Sequence, residues 1–292
     1  MLLGAIEAGG TKFVCAIGDE SCEIVERIQI PTTIPSETMA EVTQFFRSYQ
    51  VDAIGIGSFG PVDIDLKSPT YGSITTTPKT AWKNYPIVQV MNNTFGVPIG
   101  FNTDVNAAAL AESILGAAKG LDSCLYITVG TGIGAGAVVQ GKMLQGNSHP
   151  EMGHILVRRH PDDPYHGKCP YHQDCLEGLA AGPAIEERWG AKGTELVGRT
   201  EVWDLEGYYL AQALMQYITI LSPKRIILGG GVMHQQQVFR SIYKYLPELI
   251  NQYVKLPDLA NYIVLPGLGD NAGIKGSFLL AKQALAHSSM QK

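Results

Sequence analysis

One arrangement occurs twice in this chain, and it restricts the fold more than any other feature. An apolar run over residues 2–6 enters the turn Ala8-Gly9-Gly10-Thr11-Lys12 and returns as a second apolar run over 13–17. Downstream, a run over 125–129 enters Gly130-Thr131-Gly132-Ile133-Gly134 and returns over 135–139. Strand-forming residues on both sides of a glycine-dense turn predict hairpins. A buried-strand pattern ending in glycine follows in each half: Val51-Asp52-Ala53-Ile54-Gly55-Ile56-Gly57, then Lys224-Arg225-Ile226-Ile227-Leu228-Gly229-Gly230-Gly231-Val232. Helical patterns lie between. Residues 36–49 place Ser36 as N-cap and Ala40, Val42, Phe45 and Phe46 on an apolar face. Residues 105–118 are rich in alanine and leucine. Residues 206–220 carry Leu210, Leu214, Tyr217 and Ile218 at helical spacing and stop at Ser222-Pro223, and a last helix spans 272–285. Two α/β lobes of similar plan are expected, each opening with a glycine hairpin. A single doubly wound sheet also alternates strands with helices and is the competing architecture.

With 292 residues, 45% of them apolar and 17% charged, the chain is long enough for two lobes and too apolar for disorder. Its net charge of −5 disfavours a nucleic-acid face. The start, Met1-Leu2-Leu3-Gly4-Ala5-Ile6, has no basic segment and soon meets Glu7 and Lys12, which does not fit a signal peptide. The uncharged stretch over 123–140 is broken by Gly130, Gly132, Gly134 and Gly136, so it predicts strand–turn–strand and no membrane helix. Five cysteines, an odd number, suit a reducing compartment. A cytoplasmic protein is expected.

Two of those cysteines lie in a ligand-spaced cluster: Glu151-Met152-Gly153-His154, then Cys169-Pro170-Tyr171-His172-Gln173-Asp174-Cys175-Leu176-Glu177. His154, Cys169, His172 and Cys175 make a complete tetrahedral set for zinc; the alternative is a surface loop of unpaired thiols and scattered histidines. Four protein ligands leave no position for a metal-bound water, so such a zinc is structural. The chemistry then belongs beside it, where Glu151 and Glu177 stand.

Paired glycine turns across a cleft suit a nucleoside triphosphate, because glycine backbones approach phosphates closely and offer N–H groups as an anion nest. Neither turn is a P-loop, and Gly130-x-Gly132-x-Gly134 lacks the dinucleotide spacing. Asp104, just before the 105–118 helix, is placed either as a general base or as an N-cap.

These residues resemble a known family. Glu7-Ala8-Gly9-Gly10-Thr11-Lys12, Thr103-Asp104-Val105-Asn106-Ala107-Ala108-Ala109, Gly130-Thr131-Gly132-Ile133-Gly134-Ala135-Gly136, Glu151-Met152-Gly153-His154 and Gly229-Gly230-Gly231-Val232 occur in the order seen in ROK-family sugar kinases, over essentially the whole chain. Ser58-Phe59-Gly60-Pro61-Val62-Asp63, Thr77-Pro78-Lys79-x-x-Trp82 and Cys169-Pro170-Tyr171-His172 look most like the bacterial fructokinase branch. The resemblance implies an α/β, two-lobe actin-like/hexokinase-like ATPase fold with ribonuclease H-like lobes and an inserted zinc knuckle. A small lobe would span 1–115 and be completed by a helix over 275–292; a large lobe would span 116–274.

It also implies roles. Asp104 would be the general base. Gly60, Pro61, Thr103, Glu151, His154 and Glu177 would bind the sugar. Gly9, Gly10, Thr11, Lys12, Thr131, Gly132, Pro183, Gly229, Gly230, Val232 and Asn271 would hold ATP. Zinc would sit on His154, Cys169, His172 and Cys175, and Glu7 would face Mg²⁺. A histidine bound to zinc through one ring nitrogen presents the other to a sugar hydroxyl. The implied reaction is ATP-dependent phosphorylation of D-fructose at the 6-hydroxyl, by a homodimer; another hexose (mannose, glucose or N-acetylmannosamine) is the alternative.

Three positions depart from the family pattern. Glu7 stands where aspartate is usual, which moves the carboxylate by about a bond length and favours holding Mg²⁺ through water. Thr103 replaces the usual asparagine and disfavours glucose. His172 replaces the middle cysteine of the knuckle, one residue later, and is an equally good ligand. Two rivals fit less well. A sugar-responsive repressor needs a DNA-reading module ahead of the first turn. A zinc deaminase, suggested by His149-Pro150-Glu151, needs a Pro-Cys-x-x-Cys order that Cys169-Pro170 inverts.

Overall fold

The computed structural model describes residues 1–290; the last two residues of the helix expected over 275–292 lie outside the described residues. Two five-stranded sheets are present. The first contains β1 (Leu2–Ala8), β2 (Lys12–Asp19), β3 (Ile24–Pro31), β4 (Ala53–Ser58) and β5 (Ile99–Thr103), in the order β3-β2-β1-β4-β5. The second contains β6 (Cys124–Val129), β7 (Ile133–Val139), β8 (Lys142–Met143), β9 (Ile226–Gly229) and β10 (Ile263–Val264), in the order β10-β9-β6-β7-β8. In each, the first strand pairs antiparallel with its hairpin partner and parallel with the later glycine-ended strand. The same plan is therefore drawn twice, and the single-sheet alternative falls.

The helices are α1 (Pro35–Arg47), α2 (Ile87–Phe95), α3 (Asp104–Ile114), α4 (Leu176–Ala180), α5 (Gly182–Trp189), α6 (Thr200–Leu221), α7 (Gln237–Ile250), α8 (Leu259–Tyr262) and α9 (Ala272–Met290). Three details of the sequence reading change. Ser36 does not cap α1: Pro35 occupies the first turn, where its fixed φ suits a helix start, and Ile34 precedes it without a side-chain cap. Asp104 is not the cap of α3 but its first residue; Thr103 caps, its hydroxyl accepting from Asn106 N at 3.1 Å. α6 begins well before the expected residue 206, at Thr200.

Strand alternation explains how the layers meet. Leu3 and Ala5 of β1, with Val14 and Ala16 of β2, face a cluster shared with α3 and α9; Ile6 and Ala8, with Phe13, Cys15 and Ile17, face the opposite core with α1 and α2. In the second sheet Leu125, Ile127 and Val129 face the large core against α6 and α7, while Cys124 and Tyr126 face Ala108 and Ala109 of α3. α3 and α9 thus lie between the sheets. Their approach needs bare backbone: a Cβ on Gly55 of β4 would stand 1.7 Å from Ser277 O of α9. The Ser277 hydroxyl donates to Ile6 O at 3.0 Å and accepts from Gly57 N at 3.2 Å, pinning α9 across β1 and β4. Among the described residues no helix is long and apolar enough to cross a membrane.

Candidate active site

β1, β4 and β5 run parallel and end together, Ala8 beside Ser58 and Ser58 beside Thr103. Beyond those ends stand the first glycine turn, the Gly60-Pro61 loop with its cis peptide, and the start of α3. In the first turn Gly9 N donates to Lys12 O at 3.0 Å, and Thr32 clamps the turn through its hydroxyl to Gly9 O at 2.7 Å and its N–H to Thr11 O at 3.0 Å. Only the Lys79 side chain approaches the Cβ position of Gly10, its Cε at 3.3 Å, and the Lys12 ammonium is directed to Gln29 Oε1 at 3.2 Å.

The second turn closes through Gly130 N to Gly132 O at 2.9 Å, and Gly182 N, opening α5 ahead of Pro183, donates to Gly130 O at 2.7 Å. Thr131 at its tip is exposed. Gly229 ends β9. Gly230 has φ +89°, and a Cβ there would meet Val129 O at 2.4 Å, so only glycine serves. A 3-10 turn at Gly231–His234 follows and carries Val232. The Cβ position of Gly130 is 4.0 Å from Gly231 N, and that of Gly231 meets nothing, leaving an open cradle of backbone. His234 Nε2 lies 3.7 Å from Asp270, linking this turn to the one carrying Asn271. Asn271 itself accepts from Arg27 of β3 at 2.9 Å, so its side chain reaches the first sheet.

Between the two turns lie four carboxylates. Because Thr103 takes the capping role, Asp104 keeps one oxygen free while Oδ1 accepts from Val105 N at 2.9 Å. Burial first, then the charge of Glu7, raises Asp104 to about 7. Glu7 is likewise raised to about 7 by burial, partly offset by Arg27 and Lys12. Its carboxylate fits against Gly273 at the start of α9, where a Cβ would stand 2.4 Å from Oε1. Glu151 is raised to about 7 by burial and by the neighbouring Glu177. Glu177 Oε2 accepts from Ile133 N at 2.9 Å and would meet a Cβ on Gly132 at 2.6 Å, so it is wedged against the second turn.

The metal candidates converge. Ligand atoms of His154, Cys169, His172 and Cys175 all lie within 4.8 Å of one another. His154 Nδ1 is 3.6 Å from Cys169 Sγ and 3.5 Å from Cys175 Sγ, and His172 Nδ1 is 3.8 Å from Cys169 Sγ. Sulfur at ~2.3 Å and nitrogen at ~2.0 Å from a tetrahedral zinc would stand roughly 3.5 Å apart, so this donor set fits the ion. His154 turns its other nitrogen, Nε2, towards Glu177 Oε1 at 3.9 Å.

Two residues not expected at the site join it. Buried His149 accepts from Val62 N at 3.0 Å through Nε2 and sets Nδ1 3.5 Å from Glu151 Oε1. It ties the Gly60-Pro61 loop to Glu151, where a Cβ on Gly60 would meet Oε1 at 3.0 Å. Asn102 Oδ1 accepts from Thr103 N at 2.9 Å and from Asn106 Nδ2 at 2.8 Å, stiffening the start of α3. His149 had a sequence signal only in its proximity to Glu151; Asn102, at the end of an ordinary strand, had none.

Twin sheets of one plan, two glycine turns with buried carboxylates beside them, and a Cys/His cluster that could hold a metal define an α/β fold of the sugar-kinase type. A ROK family profile matches residues 3–284, and the chain belongs to that family. It is 62% identical over 288 residues to a provisionally named fructokinase of Bacillus subtilis (strain 168), covering 97% of this chain and 96% of that one. It is 47% identical over 288 residues to a fructokinase of Pediococcus pentosaceus, covering 99% and 100%. Among solved structures, a ROK hexokinase from Thermus thermophilus superposes with a TM-score of 0.80 at 26% identity, covering 98% of this chain and 100% of that chain. A ROK glucokinase from Streptomyces griseus, solved with glucose and AMPPNP, shares the fold with a TM-score of 0.79 at 24% identity, covering 97% and 100%.

Proposed function

We propose that this chain is an ATP-dependent fructokinase that transfers the γ-phosphoryl group to the 6-hydroxyl of D-fructose, giving fructose 6-phosphate and ADP. The observation that carries the chemistry is Asp104, released from capping by Thr103 and half-buried between the two glycine turns with its carboxyl raised to about 7. A base with a pKa near the working pH both accepts and holds a proton efficiently. Asp104 takes the proton of the attacking hydroxyl. Glu151, Glu177 and His154 Nε2 bind the other hydroxyls, and the Gly60-Pro61 loop closes against them. Thr103 keeps its own O–H free to donate to a sugar oxygen.

The backbone of Gly9, Gly10 and Thr11 with Lys12, and of Thr131 and Gly132, lines the phosphate path, while Pro183, Gly229, Gly230, Val232 and Asn271 border the nucleoside end. Mg²⁺, when bound, supplies a counter-charge to the phosphates, and Glu7 is the residue that would face it. Zn²⁺ on His154, Cys169, His172 and Cys175 would orient His154 and brace Glu177, with no open position for chemistry. The lobes divide near residue 115, with α9 completing the first; Ser277 bonded to Ile6 O supports that division. Assembly as a cytoplasmic homodimer accords with the exposed apolar side chains Leu156, Ile220 and Tyr253 on the second lobe, and sedimentation at micromolar concentration reads the assembly directly.

Fructose rests on the full-length fructokinase relatives and on Thr103. A coupled assay across fructose, mannose, glucose and N-acetylmannosamine tests it. Fructose is expected to have the highest kcat/KM, mannose the next, and glucose to be poor, since each misplaced hydroxyl leaves a carboxylate or imidazole unpaired at a cost of roughly 1 kcal/mol or more. Glucose or N-acetylmannosamine at or above fructose overturns the sugar and leaves the kinase standing.

The pH profile supplies a second test. Asp104 acts as a base only when ionised, so kcat/KM should rise through about pH 7 and level above it. A rate flat from pH 5.5 to 8.5 removes Asp104 from the proton path.

A further inference from the structure

Three cations stand around the first glycine turn, and two are committed. Arg27 donates to Asn271 Oδ1 at 2.9 Å, and Lys12 donates to Gln29 Oε1 at 3.2 Å. The third, Lys79, is half-buried, and among the described residues its ammonium makes neither an ion pair nor a hydrogen bond. Its Cε would lie 3.3 Å from a Cβ placed on Gly10, so the arm of this lysine lies over the open face of the turn.

The segment that carries Lys79 is fastened to that same turn. Lys79 N donates to the buried Thr77 hydroxyl at 3.3 Å, and Lys79 O accepts from Trp82 N at 2.8 Å. Trp82 is 1% exposed, packs its ring 5.1 Å from Phe13 of β2, and donates its indole N–H to Thr33 O at 2.7 Å. Thr33 follows Thr32, the residue that clamps Gly9 and Thr11. Trp82, Thr33, Thr32 and the glycine turn form one connected unit, which holds the base of Lys79 in a defined place.

A polyphosphate entering this cleft meets Glu7, Asp104, Glu151 and Glu177, all acidic. The first turn answers with backbone donors and with Lys12, whose ammonium is directed to Gln29 Oε1, and one of the backbone donors, Gly9 N–H, is already used by Lys12 O. Besides Mg²⁺ and Lys12, Lys79 is the cation at this turn whose ammonium has no protein partner among the described residues. We propose that Lys79 is a catalytic residue that folds over Gly10 onto the nucleotide phosphates and stabilises the charge of the transferring phosphoryl group. The proposal rests on the kinase function above and deepens it. Covalently the reaction is unchanged: the sugar oxygen bonds to γ-phosphorus, the bond to the β,γ-bridging oxygen breaks, ADP leaves, and Asp104 receives the proton. Lysine supplies a point charge that strengthens as negative charge gathers on the leaving oxygen.

The test compares Lys79→Met and Lys79→Arg with the native, zinc-loaded chain. Lys79→Met is expected to lower kcat roughly 10²-fold, with the KM for sugar within about twofold of native, while Lys79→Arg recovers most of the rate because it restores the charge. Calorimetric titration with AMP, ADP and ATP separates a phosphate contact from a structural role. Affinity should fall most for ATP, less for ADP and not at all for AMP. A kcat and ATP affinity within threefold of native in Lys79→Met, or an equal loss for AMP and ATP, overturns the proposal. The nucleotide titrations need no sugar, so they decide the place of Lys79 even if every hexose assay of the native chain fails and the kinase function with it.

Discussion

Asp104→Asn is expected to lose roughly 10²–10⁴ in kcat while binding ATP normally and melting no lower than the native chain at pH 8. The rate loss follows from removing the only group at the start of α3 that is both unneeded for capping and able to accept a proton. The stability expectation has the opposite direction. Burial and Glu7 raise the Asp104 carboxyl from 3.8 to about 7 in the folded chain. A raised carboxyl contributes stability that is fully present below the unfolded pKa and lost as pH rises through the folded value. Above pH 7 the folded chain therefore carries a buried charge at a cost, and the neutral amide removes it. The melting temperature of Asp104→Asn relative to native should be higher at pH 8 than at pH 5. A variant that keeps native kcat, or one that melts well below native at pH 8, would show that Asp104 is structural.

The second large effect concerns the Cys/His cluster. Protein purified without added metal is expected to contain one zinc per chain by elemental analysis, and Cys175→Ser to contain much less. His154 turns Nδ1 towards the cluster and Nε2 towards Glu177, so losing the metal would free the ring proposed above to bind the sugar. Loss of such support typically costs about 10–100-fold, and here it should fall on kcat/KM for sugar, chiefly through KM, with nucleotide affinity kept. Thermal stability should fall as well, because the loop over 154–175 loses its tie. Substoichiometric zinc in the native chain that Cys175→Ser leaves unchanged would refute the zinc assignment.

Much of this was legible in the residues. The two glycine hairpins predicted the doubled plan because a strand buried on both faces shows as a short apolar run and a tight turn shows as glycine; both signals are local. The Cys/His spacing marked the metal cluster for the same reason, since Cys169, His172 and Cys175 are neighbours in sequence, and His154 was read as the upstream ligand from Glu151-Met152-Gly153-His154. Less was legible at helix starts. Ser36 and Asp104 both carry capping chemistry, and which residue caps depends on where the preceding strand or proline releases the chain.

Sequence alone therefore determined what is written within a few residues: two α/β halves of one plan, two glycine turns, a Cys/His cluster that could hold a metal, and an aspartate at a helix start. Only the tertiary structure decided how residues far apart act on one another. Burial raises the carboxyls of Glu7, Asp104 and Glu151, and the charges of Glu7 and Glu151 add to Asp104 while that of Glu177 adds to Glu151, because β1, α3 and the segments around the metal cluster meet where α3 and α9 are wedged between the sheets. His149 bridges to the Gly60-Pro61 loop, Asn271 turns to Arg27, and Lys79 reaches Gly10 by the same route. Hydrophobic periodicity is a property of one segment, whereas desolvation and Coulomb interaction depend on distances that exist only once the segments have packed.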